Sequence, residues 1–505
     1  MRRVQVEAAD AKVRTYGNWR KPQSAGLGQL GLIGTSLMFG GLIVVILTVG
    51  FFGLFAALIV GVILALMLLT LILRDRHGKT VLQRLAVRIG WHRTRAAGAH
   101  LYRGGPLGRN PWGTFHLPGL AARSTLSEAR DSYDRPFALL HMPTTNHYTV
   151  VFGTEPDGAS LVDQEQVDVW VAHWGEWLAA LADEPGLVAA SVTVETSPDS
   201  GARLRREVLS RIDTAAPQLA QDMLQEVVAT YPAGSATVKA FVALTFSATP
   251  RAGGKRRDTH EVARDLAARL PGLSAGLTGT GAGAARPLSA QQLCEAVRIA
   301  YEPRSAALID EAYSAGTVPE LDWSDVGPAA AEARWDSYRH DGATSVTWSM
   351  SAAPRGAVQS SVLMRLLLPH RDIARKRVTL LYQPVPAATA ARTVEADKRN
   401  ADFRVKNADR PSARALREKA AADKTAEDEA SGNGLVGFGM LVTATSLTGE
   451  DLADVEAAID NLAAAARIIL RPVYGSQDSA FAAALPLGLV LTKHLKVPAE
   501  IRAAL

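Results

Sequence analysis

The sequence predicts a membrane-anchored α/β (α+β) protein: a two-helix transmembrane hairpin followed by two subdomains of split-βαβ type. Three observations predict it. No Asp, Glu, Lys or Arg occurs between Pro22 and Leu73. Clustered basic residues flank that stretch on both sides. Beyond it, apolar periodicity switches between strand and helix spacing in two successive sections.

A bilayer-spanning helix needs roughly 20 apolar residues. Two fit within the hairpin region, 30–73, at about Leu30–Thr48 and about Leu54–Leu73. Between them stands Val49-Gly50-Phe51-Phe52-Gly53. Its glycines permit a tight turn, and the Phe pair suits the headgroup level. One buried helix of a soluble protein would need a very large core to cover a run apolar on all faces. A cleaved signal fits poorly, because no small-residue site separates the halves.

Charge sets the orientation. Residues 1–21 carry Arg2, Arg3, Lys12, Arg14, Arg20 and Lys21 against Glu7 and Asp10, a net +4. Residues 74–95 carry Arg74, Arg76, Lys79, Arg84, Arg88, Arg93 and Arg95 against Asp75, a net +6. The positive-inside rule therefore predicts a multi-pass protein of the cell membrane with both termini cytoplasmic. The basic N-terminal segment covers 1–29. The whole chain is +5, so residues 96–505 carry a net −5. The basicity is juxtamembrane and suits the anionic inner leaflet. It gives little support to direct nucleic-acid binding by the domain.

Residues 74–134 read as a basic helix, Lys79–Ile89, followed by a Gly/Pro-rich linker. The first α/β subdomain, 135–330, opens with strands at Pro136–Met142 and His147–Gly153. A helix at Val162–Ala182 follows, with Trp170, Trp174 and Trp177 at helical spacing. Strands at Leu187–Thr196 and Thr237–Ser247 flank a helical stretch, Leu204–Tyr231, with a break at Pro217. Glu261–Leu270 reads as a helix ended by Pro271, and Ser289–Tyr301 as a helix capped by Ser289. The second subdomain, 331–505, repeats the grammar. Its strands are expected at Thr344–Ser351, Ser361–Leu368, Arg377–Pro384, Leu435–Thr445 and Ile468–Tyr474. Its helices are expected at Ala387–Asp402, Gly449–Ala466 and Gln477–Leu485. A charged insertion, 407–434, reads as a solvated helix or mobile segment. Two cores are expected, because one would be unusually large.

No motif carries chemistry. Gly78-Lys79-Thr80 lacks the earlier glycine and the strand of a phosphate loop. Gly279-Thr280-Gly281-Ala282-Gly283 reads as a flexible loop. His141 and His147 are placed to meet across a hairpin, but a metal site wants three or four ligands. The tryptophans of Val162–Ala182 read as core packing. Arg371, Arg375, Lys376 and Arg377 read as a solvated face. The single cysteine, Cys294, excludes a disulfide framework and reads as buried filler. The expectation is a protein with no cofactor, no metal and no enzyme activity.

Four further stretches stand out. They are Thr15-Tyr16-Gly17-Asn18-Trp19-Arg20-Lys21-Pro22, Tyr338-Arg339-His340-Asp341 with Thr344-Ser345-Val346-Thr347-Trp348, Arg377-Val378-Thr379-Leu380-Leu381-Tyr382-Gln383-Pro384, and Tyr474-Gly475-Ser476-Gln477-Asp478 with Phe481 to Gly488. In this order they resemble a family of actinobacterial membrane proteins of integrative conjugative elements. The C-terminal half also resembles the N-terminal domain of conjugative, type IV secretion ATPases, where a similar Leu-Pro-Leu-Gly segment precedes the motor. Here the sequence ends shortly after it, at Leu505. The resemblance implies a non-catalytic inner-membrane subunit of a DNA/protein transfer apparatus, a scaffold docking a separate ATPase to the membrane channel. It implies as partners a conjugative ATPase lacking its own hairpin, a polytopic channel protein, and other copies of the chain within the complex. Tyr474, Gln477, Phe481 and Pro486 are the candidate docking residues. The alternatives are a type VII secretion component of the EccE kind and a membrane-tethered enzyme with an unrecognised site.

Overall fold

A computed structural model describes residues 14–19, 31–73, 75, 77–108, 113–156, 158, 161–198, 202–230, 236–249, 255–354, 356–407, 410–447 and 452–495. The fold mixes helix and sheet behind one long apolar N-terminal helical segment, α1 (Gly31–Ile72). The two membrane helices expected from sequence thus fall within a single assigned segment. Helical geometry breaks within α1 at Gly53, with φ 83° and ψ 174°. That conformation costs glycine little and other residues much.

In chain order there follow α2 (Val81–Ala96), β1 (Leu101–Arg103), β2 (Thr125–Arg130), β3 (Pro136–Met142), β4 (His147–Glu155), α3 (Gln164–Ala180), β5 (Leu187–Pro198), α4 (Ala202–Arg211), α5 (Gln218–Thr230), β6 (Ala236–Ser247), α6 (Thr259–Ala275), β7 (Ala284–Pro287), α7 (Ala290–Tyr301) and α8 (Ser305–Ser314). The second half comprises β8 (Ala330–Ala333), β9 (Tyr338–His340), β10 (Ala343–Ala352), α9 (Met364–Leu367), β11 (Arg375–Pro384), α10 (Ala387–Lys406), α11 (Ala413–Ala430), β12 (Val436–Leu447), α12 (Leu452–Ala465), β13 (Ile469–Pro472), α13 (Gln477–Ala483) and α14 (Leu491–His494).

Among the described residues all thirteen strands join one sheet, in the order β1-β8-β9-β10-β12-β11-β5-β6-β4-β3-β2, with β13 beside β10 and β7 beside β4. Its two halves are laid out alike. Outward from the centre, the first reads β5, β6, β4, with β3 and β7 sharing the outer edge of β4. The second reads β11, β12, β10, with β9 and β13 sharing the outer edge of β10. The halves meet where β11 pairs antiparallel with β5, from Lys376 opposite Thr196 to Tyr382 opposite Ala190. The stretch expected as an irregular linker supplies β1 and β2, the terminal strands at the two ends of the sheet.

The interior forms three clusters rather than two. On one sheet face α3 and α6 cover the first half around Phe137, Val150, Trp177 and Leu266. On the same face α9 and α12 cover the second half around Trp348, Leu366, Val442 and Ile459. The opposite face carries a cluster shared by both halves, with α7, α13 and the Leu485–Leu489 segment over Leu140, Val151, Tyr338 and Leu441. Neighbouring strand residues point to opposite faces. Leu139 and Leu140 therefore enter different clusters, and β3 reads as an unbroken apolar run.

Two expectations need correction, and for the charged insertion the helical alternative holds. Ser361–Leu368 is not a strand but a 3-10 turn, Ser360–Leu363, leading into α9. A short apolar run is ambiguous between strand and helix, and Leu366 is fully buried from the helical form. Pro271 does not end its helix. It leaves the Ala267 carbonyl without its usual partner, and Ser132 donates to that oxygen from both N–H (3.2 Å) and Oγ (3.1 Å). The charged insertion contains α11, packed along α10. Ala401 and Ala422 are buried there, and Lys419 pairs with Asp402.

Candidate functional site: two clamps and a plugged sheet

The apolar segment is largely uncovered by protein. Phe51 and Phe52 at its middle are 80% and 78% exposed. The most apolar window of Gly34–Ile72 is only 6% buried, so this is a segment long and apolar enough to cross a membrane. Of the flanking basic residues, Arg14, Lys79, Arg84 and Arg88 are exposed. Arg20, Lys21, Arg74 and Arg76 lie outside the described residues.

Both flanks are clamped to the large domain. Before α1, Tyr16 and Val358 exchange two backbone hydrogen bonds of 2.8 Å. The Tyr16 hydroxyl donates to Asp168 on α3 at 2.8 Å. Asn18 Nδ2 donates to Ala421 O (3.3 Å) and Thr425 Oγ1 (3.1 Å) on α11. After α1, the Asp75 carboxylate accepts from the N–H groups of His77 and Lys79 and closes a turn. Thr80 and Gln83 then form a capping box that starts α2. Gly78-Lys79-Thr80 is therefore a helix-entry turn. Trp91 of α2 is buried, its ring 6.2 Å from both His100 and Trp335. Trp335 stacks in turn on Tyr474 at 5.6 Å.

Of the four candidate docking residues, only Tyr474 is partly exposed; Gln477, Phe481 and Pro486 are buried. They plug the sheet instead of forming an outward surface. Along the outer edge of β10, Thr347 falls between the stretches paired with β9 and β13. Gln477 fills that interval: its Oε1 accepts from Thr347 N–H at 2.8 Å and its Nε2 donates to Thr347 O at 3.1 Å. Phe481 sits among the rings of Tyr301 (5.1 Å), Tyr338 (5.2 Å) and His340 (4.8 Å), with the Arg377 guanidinium 5.6 Å away. Thr379 donates to Ala484 O at 2.8 Å, and Thr245 to Gly488 O at 3.0 Å. Gly488 has φ 62°, and a Cβ there would lie 2.2 Å from Thr245 Oγ1. Only glycine fits. A signal for this burial was present: no charged residue occurs from Ser479 to Thr492.

Beneath the plug runs a buried polar belt. The run Arg375-Lys376-Arg377, expected on a solvated face, is buried, and only Arg371 is exposed. Across the β5–β11 junction Arg377 donates to Glu195 Oε2 from Nε (2.9 Å) and Nη2 (2.7 Å), and Arg375 binds Oε1. Burial pushes the Glu195 carboxyl up, but the two guanidinium groups overcome this and hold it down, to about 2. Lys376 points to the other face and donates to Leu368 O; burial lowers its ammonium to about 8. His340 donates to Tyr301 O through Nδ1, so in its neutral form Nε2 accepts from Ser345. Burial pulls its imidazole down to about 4. Hydroxyl pairs Thr193–Thr379 and Thr347–Thr443 complete the belt.

Other sequence features resolve into packing. His141 stacks on Tyr148 at 4.3 Å, while His147 lies opposite Met142, so the two histidines do not form a cross-strand pair. Trp174 stacks on Trp177 at 4.9 Å within the core of the first half. The glycine-rich loop is seated on that helix, with Gly279 O accepting from His173 Nδ1 at 2.9 Å. Cys294 is buried, and burial raises its thiol to about 12. Among the described residues no three His, Cys, Asp or Glu side chains group to hold a metal.

Residues 23–83, the apolar segment with its turn into α2, are similar to the family described as Domain of unknown function (DUF8461). Comparison with curated proteins finds no match.

Proposed function

We propose that this chain is a non-catalytic adaptor of the inner membrane. A two-helix transmembrane hairpin holds a docking domain at the cytoplasmic face, within a conjugative, type IV secretion-like transfer apparatus. One observation carries the anchoring part. Residues 14–19 and α2 bracket the apolar segment, and both pack on the same domain. A single crossing would set them on opposite sides of a hydrocarbon layer about 30 Å thick. Two crossings return the chain to the domain.

The geometry of α1 supports the same reading. Gly53 divides it into Gly31–Phe52 and Leu54–Ile72, each close to the roughly 20 residues of one span. In a straight helix Gly41 and Leu64 would be about 35 Å apart at 1.5 Å per residue. Instead a Cβ on Gly41 would lie 2.4 Å from Leu64 Cδ1. The basic flanks favour the cytoplasm for both termini. The strand order of each half fits two split-βαβ units fused edge to edge.

A docking role rather than catalysis is supported by what the perturbed groups do. Glu195 and His340 are buried, and their shifts have structural causes. The conjugative context rests on the resemblance of the four stretches named above. A separate ATPase, a polytopic channel protein, further copies of the chain and anionic lipid are its proposed partners. Affinity purification of the full chain from mild-detergent membranes tests this. A hexameric ATPase and a polytopic protein are expected to co-elute, and the purified chain alone to leave ATP intact. Recovery of metabolic enzymes only, or motor-like ATP turnover by the chain, would overturn the proposal.

A further inference from the structure

We propose that α2 is an in-plane interfacial helix, wedged between the domain and the anionic leaflet, that fixes which side of the domain faces the bilayer. This rests on the anchoring reading above and deepens it. The helix packs Trp91 against the domain on one side and exposes an apolar stripe on the other. Trp91 lies half a helical turn away from Leu82 and is buried against His100 and Trp335. Leu82, Leu85, Ala86 and Ile89 follow helical spacing on the other side. Leu82, Leu85 and Ile89 are 43%, 52% and 44% exposed. Among the described residues no element of the chain covers that face.

The occupant follows from position and charge. The helix begins nine residues after Ile72, the end of the apolar segment. The Asp75–Lys79 turn lies between them and separates the two helices. The helix contains no acidic residue and carries Arg84, Arg88, Arg93 and Arg95. An exposed apolar stripe backed by Arg84, Arg88 and Arg95 on the other side of the helix, next to a membrane span, matches the interfacial type of amphipathic helix. Arginines at that depth meet anionic headgroups. Arg88 also lies 5.9 Å from the Trp335 ring, so the basic flank borders the domain contact. The surface around Trp335 and Tyr474 is thereby held toward the membrane.

The test uses the full chain in vesicles of phosphatidylglycerol and phosphatidylethanolamine carrying nitroxide lipids. Single cysteines replace Leu58, Leu85, Ile89 or Leu219, each labelled with an environment-sensitive fluorophore. Cys294, buried with a raised thiol pKa, stays unlabelled at neutral pH. Labels at 85 and 89 are expected to be quenched several-fold more by headgroup-level than by mid-bilayer nitroxides. The label at 219, on exposed α5, is expected to be unquenched. Quenching at 58 without quenching at 85 and 89 would overturn the α2 proposal and leave the anchor standing. Quenching at 85 and 89 without 58 would keep α2 at the interface and overturn the span. Loss of quenching at all three would overturn both.

Discussion

Glu195→Gln is expected to destabilise the domain by about 3–5 kcal/mol, because it leaves two buried guanidinium groups without their counter-charge. The ion cluster is where the two halves of the sheet meet, with Glu195 on β5 and its partners Arg375 and Arg377 on β11. Replacing all three by apolar residues of similar size should recover most of the loss, since desolvation of the ions is removed with them. The pH dependence has a definite sign. The folded-state pKa of Glu195 is depressed, so its contribution is complete above the unfolded value of about 4.3. It is lost as pH falls from there through about 2. Denaturant titration followed by tryptophan fluorescence should show a stability loss over that window in the natural protein and a flatter one in the Gln variant. Equal midpoints for the two proteins at neutral pH would mean that the cluster is not closed to water.

Phe481→Ala should cost a similar amount, about 3–5 kcal/mol, by opening a cavity in the core shared by both halves. The ring contacts residues of both the first half (Tyr301) and the second (Tyr338, His340). Faster amide exchange is therefore expected in α7 as well as α13. This outcome separates plug from docking residue. If the variant kept its stability and exchange pattern but lost its partners in affinity purification, Phe481 would belong to an outward surface and the plug account would fail.

Much of the fold is legible locally. The charge-free run from Pro22 to Leu73 announces a membrane segment, and the apolar strands β3 to β6 and β10 to β12 appear within a few residues of where they were expected. Ser289 reads as an N-cap and makes the capping box with Gln292. The pairing of β5 with β11 is a different matter. Its partners are about 180 residues apart in sequence, and no local pattern encodes such a contact. The same distance explains the misreading of Arg375-Lys376-Arg377. Charges are normally at the surface, and the acid that permits their burial sits in the other half of the chain. The linker strands β1 and β2 are short edges in polar surroundings, which carry little periodic signal. At the candidate site, the clamp residues Tyr16 and Asn18 lie in a stretch singled out by resemblance alone. Their roles depend on partners on α3 and α11, 152 and 407 residues away.

In the proposed hairpin the apolar segment doubles back at Gly53, so that both its flanks hold one domain. A Gly41→Cys/Leu64→Cys variant of the full chain, oxidised in native membranes, tests it most directly. A disulfide needs Cβ atoms about 3.5–4.5 Å apart, and replacing the Leu64 side chain removes the atoms that crowd Gly41. An intramolecular cross-link is expected that leaves the chain monomeric on a denaturing gel and is reversed by reductant. Dimer-sized products only, or no cross-link under conditions that fully oxidise a control pair, would contradict it.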